Sequence, residues 1–323
     1  MSHPERLSSS GGESVGTLAE RPGTNGHRPE KLADFAARFG LKQSAARPPL
    51  RKYIADVWQR RTFIWAFASA RTRSRYTNSR LGQLWQVLTP LLNVGVYYLI
   101  FGLLLNSKRG VSNFMPFLVT GVFIFSFTQN SITAGAKSIS SNLSLIRALH
   151  FPRASLPFSY VVIELQQLLI SMLVMFVIIL GFGEPLMWSW LLIVPILLLQ
   201  MVFNMGAALV LARVGAFTPD VQQLLPFILR TWLYASGVIF FLPALAHKME
   251  KVPWLLDLMR ANPGYVYLEL SRTVLLKSYN KDLKHWGWHD TQQLWIYAVA
   301  WAVVGITAGF WYFYRAEDRY GRG

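Results

Sequence analysis

The chain has 323 residues, of which 53% are hydrophobic, 14% aromatic and only 15% charged. Soluble proteins carry about 25% charged residues, so a chain whose apolar residues also fall in long runs is expected to be a membrane protein. Its formal net charge of +16 could indicate nucleic-acid binding, but no polar stretch is long enough to form a folded basic domain. The chain has no cysteine, which excludes disulfides, thiolate metal sites and cysteine nucleophiles.

Residues 1–50 are polar and rich in Gly, Ser and Pro, and they contain no apolar segment of the kind found in signal peptides. This composition predicts a disordered cytoplasmic tail. Residues 51–83 form a second, basic segment. Between positions 51 and 80 there are eight basic residues and one acid, a net charge of +7. Such a charge directly before an apolar run is typical of a cytoplasmic juxtamembrane segment that faces anionic lipid.

Within this basic segment, residues 53–70 place apolar side chains such as Val57, Trp58 and Trp65 on one helical stripe. Polar side chains lie on the other side, although Arg61 interrupts the stripe. The pattern predicts an amphipathic helix in the membrane interface, with indole rings at headgroup depth and arginines on phosphates. The alternative is the first element of a soluble domain.

Residues 84–314 are predicted to be a transporter domain, because their apolar runs are long enough to cross about 30 Å of hydrocarbon. We predict an all-α integral membrane fold with six transmembrane helices. The predicted spans cover residues 84–105, 114–136, 161–182, 187–212, 224–245 and 293–314.

Six spans place both termini on the same side of the membrane. Basic residues before span one, in the insert between spans two and three, and in the tail 315–323 predict that this side is the cytoplasm, at the plasma (inner) membrane. The connection between spans five and six also contains several basic residues, Arg272 among them, yet this topology places it outside.

That outer connection contains two apolar segments, 253–259 and 265–276, separated by an Asn-Pro-Gly turn. Neither segment is long enough to cross the membrane, so the pattern predicts a re-entrant or interfacial helical hairpin. Such a hairpin is a candidate periplasmic gate. The candidate gate residues are Trp254, Asn262, Pro263 and Tyr265.

Two charged residues, Glu164 and Arg230, lie within predicted spans. Because an ionisable group in hydrocarbon costs about 2.5–3.5 kcal/mol on insertion scales, each is expected to face protein or water. The two could pair with each other, or Arg230 could meet an anionic substrate headgroup. A third interpretation places both near the interface, where their side chains reach water.

Aromatic residues concentrate in spans one and five: Tyr97, Tyr98 and Phe101 in the first, and Trp232, Tyr234 and Phe240 in the second. Lipid-facing aromatic belts explain such clusters. The alternative is a channel whose flat apolar rings let sugars slide past without tight hydrogen bonds.

The chain contains neither the G-x-x-x-x-G-K-[ST] phosphate loop nor a G-x-G-x-x-G motif, so any use of ATP requires another polypeptide. The two histidines His285 and His289 lack the glutamate of a metalloprotease helix. We therefore predict a transport subunit with no catalytic residue, no metal site and no cofactor of its own.

Several motifs in order resemble the membrane subunit of type-2 ABC exporters for polysaccharides, the permeases of O-antigen, teichoic acid and galactan. They are the basic segment entering span one (71–92), the insert between spans two and three (142–159), TPDVQQLLP before span five, ANPGYVYLELSRTVLL in the outer hairpin, and the closing FYRAEDRYGRG. The family commonly has an Arg-Asp pair where Pro219 precedes Asp220 here. The resemblance covers about residues 51–323, and the last segment looks most like mycobacterial and related actinobacterial galactan exporters.

The resemblance implies a homodimer bound to two copies of an ATP-binding cassette subunit, which would hold ATP and Mg. The substrate would be a polyprenyl-diphosphate-linked glycan, moved from cytoplasm to periplasm. The insert would be a coupling helix that docks on the ATPase through Leu149, His150, Phe151, Pro152 and Arg153. Arg71, Arg73, Arg75 and Arg230 would meet the lipid diphosphate, because guanidinium groups suit phosphate oxygens.

Three other functions remain open at this stage. An ABC permease for a small hydrophobic drug would share this architecture. An integral-membrane glycosyltransferase would need clustered acids at a membrane face, whereas the acids here are scattered singly. A secondary transporter would be expected to show inverted repeats and more charge at the midplane.

Overall fold

The computed structural model describes residues 48–75, 84–104, 110–149, 151–246, 253–288 and 291–320. Within these ranges the chain is helical and contains no strand, so the predicted all-α class is confirmed for them. The predicted tail 1–50 lies almost entirely outside the described residues.

The described chain begins with two short helices, α1 (Leu50–Gln59) and α2 (Arg61–Ser74), which a turn at Arg60 separates. In α1 the side chains of Tyr53 and Val57 are buried, whereas Trp58 is 71% exposed. One face therefore packs against the rest of the protein and the other is open, as amphipathicity predicts.

Three long apolar helices follow. They are α3 (Leu84–Tyr97), which continues as a π-helix (Tyr98–Leu104), α4 (Phe114–Lys137) and α6 (Ser155–Gly181). The short helix α5 (Leu143–Ala148) lies between α4 and α6. A 3₁₀ turn (Trp188–Leu192) leads into α7 (Ile193–Phe217). The third span thus begins six residues earlier than the predicted 161.

The fifth predicted span, 224–245, is not one helix. The chain forms α8 (Asp220–Ala235), an irregular segment over residues 236–241, and a single turn, α9 (Leu242–Ala246). Gly237 ends α8 with a φ of 65°, a left-handed conformation that glycine adopts without steric cost. Since 16 residues of helix extend about 24 Å, α8 alone is shorter than the hydrocarbon core.

The predicted hairpin is present as α10 (Pro253–Ala261) and α11 (Pro263–Leu275), followed by α12 (Lys277–His285). Asn262 caps α11 by accepting a hydrogen bond from the Gly264 N–H (2.9 Å), and Pro263 occupies the first helical position, where no N–H is needed. The side chains of α11 from Gly264 to Leu275 are all buried. The second arm of the hairpin therefore lies inside the protein rather than at a lipid interface.

The last helix is α13 (Thr291–Tyr314). Among the described residues, five helical stretches are long and apolar enough to cross a membrane: Val87–Leu104, Phe114–Lys137, Ser155–Gly181, Trp188–Phe217 and Thr291–Tyr314. They match predicted spans one, two, three, four and six.

The tightest packing is between α7 and α13. A Cβ atom on Gly206 would overlap the backbone of Gly305, and one on Gly309 would overlap the backbone of Gly206. Small residues let helix backbones approach closely, which is the main source of helix association where lipid removes the hydrophobic driving force. α4 passes through the middle of the fold and packs against α6, α7 and α11.

Candidate functional site

The basic helix α2 lies against α6 through polar contacts as well as apolar ones. Arg75 donates a hydrogen bond to the Glu164 carboxylate (3.0 Å), and Thr72 donates one to the side-chain oxygen of Gln166 (2.8 Å). Glu164 therefore pairs with Arg75, and the alternative that paired it with Arg230 is wrong. The predicted headgroup residue Arg75 is fixed in place by a buried carboxylate.

The Arg75–Glu164 pair is asymmetric. The Glu164 side chain is 3% exposed, whereas the Arg75 side chain is 48% exposed. Because a lone carboxylate among apolar helices is costly, Arg75 neutralises Glu164 while part of the guanidinium stays accessible. Arg71 lies over the Phe67 ring (5.9 Å), and Arg73 is exposed on the same helix. Two of the three predicted headgroup arginines thus lie in the last turn of α2 and the third, Arg75, directly follows it.

The structure brings most of the predicted channel aromatics together. The Phe101 ring lies 5.7 Å from that of Phe240 and 6.4 Å from that of Tyr97. Tyr97 in turn lies within electrostatic range of Tyr234 and Arg230. We call these five residues the aromatic–arginine surface. Arg230, Tyr234 and Phe240 are exposed, and much of α3 is exposed as well.

Two predicted channel aromatics have structural roles. The Tyr98 ring packs on Phe114 at 6.4 Å. Trp232 packs edge-on against Phe125 (5.6 Å), and its indole N–H donates to the Asn262 side chain (2.7 Å). Periodicity within one helix cannot distinguish them from the exposed rings, since their partners come from distant parts of the chain.

The predicted coupling residues do not share one environment. Leu149 is 52% exposed, whereas the Phe151 ring packs against Phe63 of α2 at 5.7 Å. Pro152 and Arg153 are partly buried at the entrance to α6. His150 lies outside the described residues. Leu149 is therefore the predicted contact residue that is open to a partner, while Phe151 joins the segment to the interfacial helix.

The predicted gate residues likewise divide into two groups. Trp254 is 64% exposed on α10, whereas Tyr265 is buried. Asn262 accepts from Trp232 and donates to the Ala235 carbonyl and the Ser236 hydroxyl, both at 3.2 Å. Asn262 thus fastens the turn of the hairpin to the end of α8.

Arg272 has a structural role that sequence reasoning missed. Its guanidinium is 1% exposed and donates to the carbonyl oxygens of Gly237 (2.9 Å), Val238 (2.7 Å) and Phe117 (3.2 Å). It also lies 3.5 Å from the centre of the Phe117 ring and 4.0 Å from Glu269. Arg272 therefore satisfies the backbone where the fifth predicted span is broken.

Arg272 is accordingly a buried residue of α11 and not one of the exposed basic residues of a loop. The sequence did hold a signal, because Glu269 and Arg272 are three residues apart within an apolar run and so share one helical face. Charged residues within such a run are costly and mark a specific partner. Tyr279 completes the cluster by donating to the Glu269 carboxylate at 2.7 Å.

A cavity of about 150 Å³ separates the hairpin from the start of α13. It is lined by Glu269, Arg260 and Trp288, among others. Glu269 already accepts from Tyr279, and the Arg260 guanidinium lies 3.8 Å from the centre of the Trp288 ring. Glu269 and Arg260, two of the charged groups that line the cavity, are thus engaged with other side chains of the protein.

The fold and these surfaces can now be compared with known proteins. The model of the ABC-2 type transporter family matches residues 62–276, which is more than half of the chain. The chain belongs to this family. The resemblance drawn from the sequence motifs is therefore confirmed, and the matched region includes the aromatic–arginine surface and Arg272.

Curated relatives agree with this assignment. The chain is 27% identical over 189 residues to the O-antigen export system permease protein RfbA of Myxococcus xanthus, covering 58% of this chain and 72% of the relative. It is 28% identical over 185 residues to the Klebsiella pneumoniae protein of the same name (56% and 69%). It is 26% identical over 210 residues to the polysialic acid transport protein KpsM of Escherichia coli (64% and 78%).

Proposed function

We propose that this ABC-2 family protein is the channel-forming subunit of an ATP-driven exporter. Its substrate is a polyprenyl-diphosphate-linked polysaccharide of galactan or O-antigen type, moved from cytoplasm to periplasm across the inner membrane. The observation that carries this proposal is the aromatic–arginine surface, where the exposed rings of Tyr234 and Phe240 and the exposed Arg230 guanidinium lie near the partly exposed rings of Tyr97 and Phe101. Relatives named for the export of O-antigen and the transport of polysialic acid support the substrate class.

Substrate entry is assigned to the basic helix α2. Arg71, Arg73 and Arg75 offer guanidinium groups that form paired hydrogen bonds with phosphate oxygens. Because Glu164 orients Arg75 while leaving it half exposed, that side chain is pre-organised to meet the lipid diphosphate.

Passage of the glycan is assigned to the aromatic–arginine surface. Flat rings bind the apolar faces of sugars without fixing them through many hydrogen bonds, which suits a polymer that must keep moving. One copy of the chain supplies one wall, and a second copy related by two-fold symmetry supplies the other. The hairpin α10–α11 forms the exit, where exposed Trp254 is the outermost ring of the proposed gate.

In this topology the chain crosses the membrane six times, and both termini are cytoplasmic. The fifth crossing is formed by α8, the irregular segment 236–241 and α9 together. Non-helical backbone at membrane depth is tolerated where protein satisfies it, which is the role of Arg272.

The energy comes from two copies of a separate ATP-binding cassette subunit, because the chain has no phosphate loop. That subunit holds ATP and Mg and docks at residues 149–153, where Leu149 is exposed. This chain acts as the transport subunit and contributes no catalytic residue.

The proposal is tested with the double variant Phe101→Ala/Tyr234→Ala. Each aromatic contact contributes about 0.5–1.5 kcal/mol, so loss of both rings is expected to lower export of lipid-linked glycan about tenfold at equal membrane levels. Export is measured as glycan reaching the outer face of the membrane in cells that depend on this permease. Trp188→Ala is the control, because Trp188 is 90% exposed and lies outside the surface.

Export at the wild-type level in the double variant would contradict the assigned path. A second measurement tests the partner directly: the ATPase subunit should co-purify with the chain in a one-to-one ratio. If the purified complex instead removes a small hydrophobic dye from vesicles and no glycan, the drug-permease alternative is correct.

A further inference from the structure

Three segments that are distant in sequence meet at the entrance to α6. The Tyr53 hydroxyl of α1 donates to Glu317 Oε2 at 2.7 Å. The Arg153 N–H donates to Glu317 Oε1 at 3.0 Å, and the Ala154 N–H donates to the Tyr53 hydroxyl at 3.1 Å. We call this set the brace: the two side chains together with the two backbone N–H groups.

The brace fixes the backbone directly before α6. The first N–H groups of the helix, those of Ser155 and Leu156, donate to the carbonyl oxygens of Pro152 and Arg153. The Glu317 carboxylate and the Tyr53 hydroxyl accept the two N–H groups that precede them, so the turn that leads into the helix has its donors satisfied by distant segments. A carboxylate at this position also interacts favourably with the positive end of the helix dipole.

The brace is buried. Tyr53 is 1% exposed and Glu317 is 6% exposed. Burial raises the pKa of Glu317, while the hydrogen bonds from the Arg153 backbone and from Tyr53 act in the opposite direction. A buried carboxylate that loses its donors is strongly unfavourable, so the three segments are held together as one unit.

Aromatic packing extends this unit on both sides. The Tyr53 ring lies 5.3 Å from that of Tyr314 at the end of α13, and the Tyr320 ring stacks on Phe313 at 4.6 Å. On the other side, Phe151 contacts α2. The segment 151–154 is therefore clamped between the interfacial helices and the C-terminal tail, and Leu149 beside it remains exposed.

We infer that Glu317 and Tyr53 are positioning residues that make the segment 151–154, the interfacial helices and the C-terminal tail move as one body. This inference rests on the proposed function, in which the ATPase subunit acts on residues 149–153. A displacement there moves α2, and with it the arginines that meet the lipid diphosphate. Both side chains lie outside the family match of 62–276, whereas the two backbone N–H groups that they bind lie within it.

The first experiment needs no transport activity. Amide hydrogen exchange is measured over residues 149–158 in the purified full-length chain. Glu317→Ala removes the acceptor of the Arg153 N–H and is expected to raise exchange there about tenfold. Glu317→Gln keeps an acceptor and a donor in the same place and is expected to stay near the wild type. Asp318→Asn, a charge change at the next residue of the tail, is the control.

The second experiment measures coupling in the complex with the ATPase subunit. Glu317→Ala and Tyr53→Phe are expected to lower the glycan exported per ATP hydrolysed about fivefold, with ATP hydrolysis itself close to the wild-type rate. Because both side chains belong to the brace, the double variant should export little less glycan per ATP than either single variant. A role limited to folding would instead lower membrane levels and both activities together.

Each outcome decides one statement. Unchanged exchange in Glu317→Ala would overturn the brace. Raised exchange with an unchanged ratio of export to hydrolysis would overturn its role in coupling and leave a structural contact only. A wild-type chain that binds no ATPase and exports no glycan would refute the proposed function, while the exchange experiment would still decide whether the brace exists.

Discussion

Two long helices, α3 and α4, show opposite relations between hydropathy and burial. The stretch Val87–Leu104 is more apolar than Phe114–Lys137, yet only 11% of its residues are buried, compared with 72% for the latter. In a water-soluble protein the more apolar of the two helices would be expected to be the more buried one. In a bilayer the surroundings are themselves apolar, so exposure of α3 carries no cost and close packing decides which helices become central.

Two arginines, Arg272 and Arg230, also differ in burial. Arg272 is fully buried and donates to three carbonyl oxygens, whereas Arg230 is exposed on α8 beside aromatic rings. A buried, satisfied guanidinium holds structure together. An exposed one at membrane depth is retained where it meets water or an anionic ligand. The comparison predicts that the two arginines fail in different ways when they are replaced.

The largest expected effect is that of Arg272→Met. This variant leaves the carbonyls of Gly237 and Val238 without their donor, and the Glu269 carboxylate without its cationic partner, inside the protein, which costs about 3–5 kcal/mol. We expect most of the chain to be lost from the membrane or to elute as aggregate in detergent. Size-exclusion chromatography and a thermal melt of the purified protein check this. If Arg272→Met remains as stable as wild type, Arg272 does not hold the broken span together.

Replacement of Gly206 by alanine should have the next largest effect. A single Cβ at Gly206 would overlap the backbone of Gly305, so α7 and α13 must move apart, at a cost of about 1–3 kcal/mol. Gly95→Ala is the matched control, because a Cβ there meets nothing within 4 Å. Thermal melts of both variants should show a lower midpoint for Gly206→Ala alone. Equal midpoints would mean that the contact between α7 and α13 is not as tight as described.

Part of this structure could be predicted from the sequence. Length and apolar composition locate five spans within a few residues, because about 20 apolar residues in a row have few other uses. The Asn262-Pro263 turn of the hairpin is also readable from sequence, since capping and the missing proline N–H are local properties. Four of the six predicted channel aromatics lie near one another, Tyr98 and Trp232 pack inward, and Arg230, predicted separately as a headgroup residue, lies beside the four.

The break in the fifth span was not predictable in the same way. A continuous helix and a broken one have the same apolar composition over 224–245, and only Gly237 marks the interruption. The break is stable because Arg272, some 35 residues later, donates to the buried carbonyls of Gly237 and Val238. The partner of Glu164 was missed for the same reason, since Arg75 lies 89 positions away. Contacts of this kind depend on the fold and not on local pattern.

Arg230→Leu gives the smallest expected change in stability and the sharpest test of the comparison. If Arg230 faced lipid, its removal would relieve an insertion cost of about 2.5–3.5 kcal/mol and stabilise the protein, with no loss of export. If it faces a hydrated substrate path, stability should change by less than about 0.5 kcal/mol, as for surface substitutions, while export falls. We expect the second result, with Arg230→Lys retaining part of the export because it keeps the charge but not the paired hydrogen bonds. Thermal melts and glycan export measured on the same preparations decide between the two, and a clear gain in melting temperature at full export would assign α8 to the lipid boundary.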